Sequence, residues 1–182
     1  MPKRFLSAFF VAALLTWNAH AVEVNITTTP PDTGTHLDFS GTTPIGSFTS
    51  PDIQFLTNTG QNWHPFGQSA FGADITGTLL VAAPGTYTFN LASDDGSYLF
   101  IDGNLVVNNG GVHGPGSVSN SALLTAGDHP FEVQFWENGV GQSGVDLNLP
   151  QAVTFVPEPA TWTLLLLGLT ATFGLVLRRK RA

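Results

Sequence analysis

Two adjacent carboxylates followed by a glycine stand in the run Ser93-Asp94-Asp95-Gly96-Ser97. Hard cations such as Ca²⁺ bind several oxygen ligands in flexible geometry, and paired aspartates supply such ligands. Without a cation, repulsion between the two side chains would raise the pKa of one of them. The same run is also typical of a solvated β-turn, because Asp and Gly are common turn residues. On spacing alone, a metal site and a turn are equally good interpretations of Asp94 and Asp95.

Positive and negative charges occupy different parts of the chain. The 6 Lys and Arg residues all lie near the two ends, at Lys3, Arg4 and 178–181. All but one of the 13 Asp and Glu residues lie between Val22 and Val156, the exception being Glu158. Acids buried together in that segment would need protons or a metal ion, since no Lys or Arg can pair with them. The negative surface would also repel nucleic acid, so we expect no nucleic-acid partner.

Motifs of common enzymes are missing from the sequence. It contains no Gly-x-Ser-x-Gly, no His-Glu-x-x-His and no P-loop. Adjacent aspartates on one turn cannot flank a glycosidic bond, which needs carboxyls roughly 5–9.5 Å apart on opposite sides. We therefore predict a protein that is not an enzyme, with a hydrolase as a disfavoured alternative. Four histidines without metal-ligand spacing are predicted to be exposed turn residues: His36, His64, His113 and His129.

Alternating apolar residues between Val22 and Val156 predict an all-β fold. Tyr87, Phe89 and Leu91 occupy every second position of one segment, and the same pattern recurs at 131–136 and 145–149. Side chains two residues apart lie on the same face of a strand, so each segment would present one apolar face to a core. Short strands with Gly and Pro turns between them favour an antiparallel β-sandwich.

The turns and the first part of the domain can also be predicted. Asp102-Gly103 is typical of a tight hairpin turn and separates the apolar segments Tyr98–Ile101 and Asn104–Val107. The Thr-, Pro- and Gly-rich segment before Phe71 is predicted to hold the first strands, at Val22–Ile26 and His36–Phe39, joined by long loops. No amphipathic helix is predicted before the apolar run near the carboxyl end.

Four stretches, taken in order, resemble the protective-antigen domain, a β-sandwich: Gly85–Phe89, Ser93–Gly103, Leu124–Gly127 and Phe135–Val145. The resemblance covers about Ala73 to Leu149. In the sugar-binding adhesins of that family, two aspartates joined by a cis peptide hold a Ca²⁺ ion, which in turn binds sugar hydroxyls. The resemblance therefore implies a carbohydrate-binding or adhesion domain with calcium as its cofactor.

The resemblance also implies which residues form the site. By motif position, Asp94, Asp95 and Asn138 would hold the metal ion. The loop Gly139-Val140-Gly141-Gln142-Ser143-Gly144 fits the pattern Gly-x-Gly-x-x-Gly, but it leads into a strand and is predicted to be a loop rather than a nucleotide site. By the resemblance, its residues Gly139, Val140, Gly141 and Gln142 would shape the sugar pocket. Trp136 is a further candidate, which could either stack on a pyranose ring or pack on the sheet.

Both ends of the chain are predicted to be targeting segments. Residues 1–21 have a basic start, an apolar run and the small-x-small site Ala19-His20-Ala21, which are typical of a secretory signal peptide. Residues 156–182 contain Pro157-Glu158-Pro159, an apolar run at 161–177 and a basic cluster, and closely resemble the PEP-CTERM sorting signal. The apolar run is long enough for one transmembrane helix. The family resemblance implies processing by an exosortase-type enzyme in a Gram-negative bacterium.

These observations predict an exported protein with a β-sandwich domain at 22–155. We expect it at the cell envelope, the outer surface or in the extracellular matrix, with transient anchoring in the inner membrane. Its expected ligand is a neutral polysaccharide or a cell-surface glycan, bound with the help of Ca²⁺. A structural protein of an exopolysaccharide or biofilm matrix, without a specific ligand, remains an alternative.

Overall fold

A computed structural model describes residues 21–56, 63–67, 70–139 and 142–156. The predicted signal peptide before Ala21, the loop residues Val140 and Gly141, and the transmembrane helix predicted at 161–177 lie outside these residues. Among the described residues, no helix has the length and apolar character needed to cross a membrane.

Ten antiparallel strands form two sheets in the described part of the chain. The strands are β1 (Val22–Thr27), β2 (Pro44–Ser50), β3 (Ala70–Val81), β4 (Gly85–Asp94), β5 (Ser97–Ile101), β6 (Asn104–Asn109), β7 (Gly116–Leu124), β8 (Gly127–Asn138), β9 (Gly144–Asn148) and β10 (Val153–Phe155). The large sheet has the order β2-β1-β3-β8-β5-β6, with β10 also paired to β3, and the small sheet has the order β7-β4-β9. The predicted all-β antiparallel sandwich is confirmed.

The hydrophobic core lies between the two sheets, where the alternating residues meet. Phe89 and Leu91 of β4 are fully buried, as are Val133 and Phe135 of β8. Burying each such side chain contributes roughly 1.5–3 kcal/mol to stability, which is how a chain without cysteines can hold a sandwich together. All ten strands lie between Val22 and Phe155, so the segment 22–156 contains the complete sandwich that the structure describes.

The hairpin predicted at Asp102-Gly103 is confirmed. β5 and β6 pair antiparallel, and Asp102 and Gly103 have φ angles of 52° and 75°. Positive φ at both central residues is the requirement of a type I′ turn, which Asp-Gly meets at low cost.

The strand predicted at His36–Phe39 is wrong. The residues between β1 and β2, here called the β1–β2 loop (28–43), contain only one isolated bridge, from Asp32 to Leu37. The loop lies on the outer face of the large sheet, where Leu37 packs with Tyr98 and Trp136. The Leu37 N–H donates to the Gln134 side-chain oxygen at 2.7 Å. These contacts satisfy backbone groups that a strand would otherwise have paired.

The two ends of the sandwich are formed by different parts of the chain. At one end, here called the terminal pole, the Ala21 N–H donates to the Ser50 carbonyl and the Val156 N–H to the Thr78 carbonyl, both at 2.9 Å. At the other end, here called the aspartate pole, Ala70 of β3 pairs with Asn138 of β8. Because a strand rises roughly 3.3 Å per residue, Thr78 and Ala70 lie about 26 Å apart along β3.

Candidate metal centre

The aspartate pair lies where the chain crosses from the small sheet to the large one. Asp94 is the last residue of β4 and pairs with Gly144 of β9, while β5 of the large sheet begins at Ser97. The Asp94–Asp95 peptide bond is cis. Both side chains are buried, with exposed fractions of 6% for Asp94 and 5% for Asp95. The alternative of a solvated turn is therefore wrong, because the carboxylates are not in solvent.

Glu137 brings a third carboxylate to the pair, and the sequence analysis did not find it. One oxygen from each of Asp94, Asp95 and Glu137 lies within 4.8 Å of the others, and Glu137 is only 1% exposed. On β8, the inward positions run through Phe131, Val133 and Phe135, so the next inward position is Glu137. A charged residue that continues an apolar series is the signal that could have identified it.

Backbone donors fix two of the three carboxylates. Asp95 accepts hydrogen bonds from the N–H of His113 at 3.0 Å and from the N–H of Asn138 at 2.9 Å. Glu137 Oε1 accepts from the N–H of Gly139 at 2.8 Å. Glu137 Oε2 and the Ser143 hydroxyl are both buried without a well-aligned hydrogen bond among the described residues, although the hydroxyl is close enough to lower the pKa of Glu137. A buried acceptor of this kind is costly, which makes Glu137 Oε2 a candidate ligand atom.

Burial and mutual repulsion shift the pKa values of Glu137 and Asp94. Burial raises the pKa of Glu137 to about 7, and the charges of Asp95 and Asp94 add to the shift. Burial also raises the pKa of Asp94, as does the charge of Asp95, while His113 opposes the shift. Glu137 and Asp94 thus resist ionisation until a cation compensates the charge of the cluster.

His113 supplies partial positive charge beside the acids. Burial acts to lower its pKa, but the carbonyls of Asn109 and Gly114 and the carboxylates of Asp95 and Asp94 raise it overall. Its ring nitrogens lie 3.0 Å from the Asn109 oxygen and 2.8 Å from the Gly114 oxygen. Only the protonated ring can donate to both carbonyls at once.

A network of small polar side chains connects the residues on either side of the aspartate pair, where the chain crosses between the two sheets. The hydroxyls of Ser93 and Ser97 lie 2.7 Å apart, and both residues are fully buried. The Asn109 amide donates to the Ser93 hydroxyl at 2.8 Å. These contacts join the residues on either side of Asp94-Asp95-Gly96, so the orientation of the aspartates is set by packed strands.

Two of the predicted loop residues, Asn138 and Gly139, contact the acids through their backbone N–H groups. Asn138 has an exposed side chain and contributes its backbone N–H to Asp95. Gly139 has a φ of 96°, which turns the chain away from β8. Gln142 is half-buried. Val140 and Gly141 fall outside the described residues.

Trp136 packs on the sheet. It is 8% exposed and clusters with Leu37 and Tyr98. A Cβ on Gly96 would lie 2.5 Å from the Trp136 ring nitrogen, so the indole covers the glycine that follows the aspartates. A ring in this position offers no open face for stacking on a sugar, which favours the packing alternative.

Two of the four histidines contradict the prediction of exposed turn residues. His64 is 4% exposed and His129 is 6% exposed, whereas His113 is half-buried and His36 is exposed. The ring of His129 is buried because its Nδ1 contacts the Asp102 carboxylate at 2.7 Å and its Nε2 contacts the Thr125 carbonyl at 3.1 Å.

The donor set fits a hard divalent cation. The three clustered side chains offer only carboxylate oxygens, one of which, Glu137 Oε2, has no well-aligned hydrogen bond within the described part of the chain. The described residues contain no Lys or Arg that could neutralise them. Oxygen ligands without nitrogen or sulfur suit Ca²⁺ rather than zinc or copper.

Two family models match different parts of the chain. Residues 23–159 match the PA14 domain. The chain belongs to the PA14 domain family. This is the protective-antigen family to which the sequence was compared. Residues 155–181 match the PEP-CTERM protein-sorting motif, so the PA14 domain is followed directly by a sorting signal. A comparison with curated proteins gives no match.

Several solved structures share the fold of this PA14 domain. A PA14 sugar-binding domain from an RTX adhesin is 17% identical, with a TM-score of 0.55 over 72% of this chain and 90% of that chain. The epithelial adhesin 9 A domain from Candida glabrata, in complex with Galβ1-4GlcNAc, is 10% identical, with a TM-score of 0.53 over 76% of this chain and 87% of that chain. A β-glucosidase from Kluyveromyces marxianus is 13% identical, with a TM-score of 0.53 over 75% of this chain but only 17% of the enzyme. At these identities the likeness establishes the fold alone.

Proposed function

We propose that this PA14 domain binds carbohydrate with the help of Ca²⁺ and that the protein acts in adhesion at the bacterial surface. The observation that carries the proposal is the cluster of Asp94, Asp95 and Glu137, three carboxylates that are buried together with no Lys or Arg among the described residues and with only His113 as a source of positive charge. Such a cluster destabilises the fold unless something compensates its charge. A cation bound at this end of the sandwich would compensate that charge and would still be accessible to a ligand.

The residues around the cluster have separate roles in this proposal. Asp94, Asp95 and Glu137 would hold the ion, and Asn138 stands next to them with an exposed amide. The N–H groups of His113 and Asn138 orient the Asp95 carboxylate. Calcium supplies open coordination positions that vicinal sugar hydroxyls can fill. The loop at 139–142 would shape the pocket beside the ion.

The charge of the domain favours a neutral ligand. Between Val22 and Val156 the chain has acids but no Lys or Arg. Long-range repulsion from this surface disfavours anionic polymers, so we propose neutral polysaccharides or cell-surface glycans as ligands. Binding at each site would be weak, and display of many copies would strengthen it through effective concentration.

The sorting motif indicates the cellular location of the protein. It marks an exported protein that is sorted to the cell surface. We propose in addition that an exosortase-type enzyme removes the tail near Pro157-Glu158-Pro159, in the envelope of a Gram-negative bacterium. Mass spectrometry of protein from the native host should find chains that begin at Val22 and lack the tail. Chains that mostly still end at Ala182 would refute the processing part.

A glycan array tests the binding proposal directly. The segment 22–156 should retain neutral glycans in millimolar Ca²⁺ and release them in chelator. Asp94→Asn should lose retention, whereas Asp128→Asn, an equal charge change at an exposed residue of the terminal pole, should keep it. If no glycan is retained in either condition, the protein is a matrix component without a defined ligand. Retention that persists in chelator or in Asp94→Asn would place the ligand elsewhere.

The geometry also argues against a hydrolase. The oxygens of Asp94, Asp95 and Glu137 converge within 4.8 Å of one another. Glycosidases separate their two carboxyls by roughly 5–9.5 Å and place the sugar between them. Loss of an array glycan in Ca²⁺ with release of reducing ends would overturn this part of the proposal.

A further inference from the structure

Asp32 connects the β1–β2 loop to the segment that borders the metal centre. Its Oδ1 accepts hydrogen bonds from the Gly34 N–H at 2.8 Å and the Tyr98 hydroxyl at 2.5 Å. Its Oδ2 accepts one from the Gly111 N–H at 3.0 Å. One carboxylate thus joins its own loop, a fully buried tyrosine of β5 and the segment after β6.

That segment, Gly110–Pro115, borders the aspartates. A Cβ on Gly96 would lie 2.7 Å from the Gly111 carbonyl, so the backbone of Gly111 is in close contact with the residue after Asp95. Two residues further on, the His113 N–H donates to Asp95 at 3.0 Å. Asp32 is therefore connected to Asp95 through a short stretch of backbone, from Gly111 to His113.

The other side-chain hydrogen bonds of the segment are local: the Gly110 N–H donates to Asn108, and the His113 ring contacts the carbonyls of Asn109 and Gly114. The segment includes three glycines, Gly110, Gly111 and Gly114, and glycine loses more conformational entropy on ordering than any other residue. Gly111 has a φ of 92°, and the side chain of Val112 is 67% exposed. Gly110 lies against the Tyr98 hydroxyl, where a Cβ would clash. Asp32 and Tyr98 thus fix the first half of the segment.

We infer that Asp32 is a positioning residue of the metal centre: it fixes the Gly110–Pro115 segment, which holds Asp95 in the orientation that binds the ion. This inference rests on the proposed calcium site. All three partners of Asp32 are donors, and only a carboxylate offers acceptors on both oxygens. An asparagine would direct an N–H₂ group towards one of those donors. Groups that orient metal ligands affect metal affinity although they do not touch the metal.

Calcium titration of the full-length chain, purified in detergent, tests the inference. Asp32→Asn should weaken calcium affinity about tenfold, the lower end of the effect of removing an orienting group. Tyr98→Phe removes one of the three donors and should weaken affinity by a smaller factor. Asp38→Asn is the matched control, because Asp38 lies in the same loop but its carboxylate bonds to the neighbouring residue Ser40 and not to the Gly110–Pro115 segment. Its calcium affinity should equal that of the wild type.

Hydrogen exchange separates positioning from a general loss of structure. In Asp32→Asn, amide exchange should accelerate at 94–97 and 109–115 while β1 and β3 at the terminal pole stay protected. Equal calcium affinity in wild type and Asp32→Asn would overturn the inference, and so would faster exchange throughout the sandwich. A wild-type chain that binds no calcium would instead refute the metal centre itself.

Discussion

The terminal pole and the aspartate pole of the sandwich bury different kinds of group: apolar and paired groups at the first, and like charges at the second. At the terminal pole, Val22 is fully buried, the Val156 N–H is paired with Thr78, and the rings of Phe131 and Phe155 pack with centroids 5.5 Å apart. At the aspartate pole, three carboxylates are buried together, and one oxygen of Glu137 lacks a well-aligned hydrogen bond among the described residues.

The two poles are therefore expected to contribute to the stability of the domain in different ways. The stabilisation that apolar burial and paired backbone groups provide involves no titrating group and no metal ion. Buried like charges instead make stability depend on protons and cations, since both neutralise them. We therefore expect the terminal pole to set the stability of the domain, and the aspartate pole to make that stability respond to ligand.

The largest effect is expected from the terminal pole. Phe131 is 4% exposed, and its ring covers Gly77 and contacts Phe155. Phe131→Ala should lower the free energy of unfolding of segment 22–156 by about 4 kcal/mol, through lost apolar contact and a cavity. Urea unfolding should give the same loss in Ca²⁺ and in chelator. A loss that differs between the two conditions by more than about 1 kcal/mol would mean that the poles are not independent.

Calcium should give the next largest effect. An ion that binds only the native state adds about 2.7 kcal/mol to stability at a concentration 100 times its Kd. The melting temperature of segment 22–156 should therefore be higher in millimolar Ca²⁺ than in chelator. Asp95→Asn should remove most of the difference, and Asp128→Asn should preserve it. Identical melting of the wild type with and without calcium would eliminate the metal site.

The pH dependence of stability, measured in chelator, should show the titration of Glu137. Its pKa is raised from 4.5 to about 7 in the folded state, so between these values the folded state holds a proton that the unfolded state has lost. Stability should therefore fall as the pH rises through this window and level off above it. Glu137→Gln should reduce this fall, most clearly between about pH 6 and 7, because burial also raises the pKa of Asp74 to about 6 and its contribution remains below that value. A wild-type profile already flat between pH 4.5 and 7 would show that Glu137 ionises normally.

Calcium affinity should change in the opposite direction over the same window. The ion needs the ionised carboxylate, so binding should strengthen as the pH rises towards about 7, where Glu137 loses its proton. Titrations at several pH values measure this change. Affinity that weakens as the pH rises would exclude Glu137 as a ligand.

The smallest effect is expected from His129 and Asp102. The hydrogen bond from His129 to Asp102 raises the pKa of the histidine although burial opposes the shift. The stabilisation is present below the ordinary histidine pKa and is lost as the pH rises through the folded-state value. Asp102 is 41% exposed, so solvent screening limits the contribution to less than about 1 kcal/mol. Asp102→Asn should destabilise the domain at pH 5.5 and leave it unchanged at pH 9.

Local patterns made the sandwich and two of the three clustered carboxylates, Asp94 and Asp95, predictable. The alternation at Tyr87–Leu91 and the Asp102-Gly103 turn each depend on neighbouring residues, and both are confirmed. The position of Glu137 follows from the same alternation on β8, although a single charged residue at the end of an apolar series is easily taken for the end of the strand.

Long-range contacts made the rest unpredictable. The β1–β2 loop is held by hydrogen bonds that span 97 residues, between Leu37 and Gln134 of β8, and 79 residues, between Asp32 and Gly111 of the segment after β6. No periodicity in the sequence encodes such pairs. For the same reason Trp136, which occupies an outward position of β8, could not be assigned to packing or to a ligand before the loop that covers it was known.

A crystal structure of segment 22–156 grown with millimolar Ca²⁺ tests the central claim most directly. We expect anomalous density for one ion with carboxylate oxygens of Asp94, Asp95 and Glu137 at roughly 2.3–2.6 Å, the usual calcium–oxygen distance. Further density at the open positions should appear when a retained glycan is added. Crystals in which these three carboxylates contact only one another or water, at saturating calcium, would contradict the account.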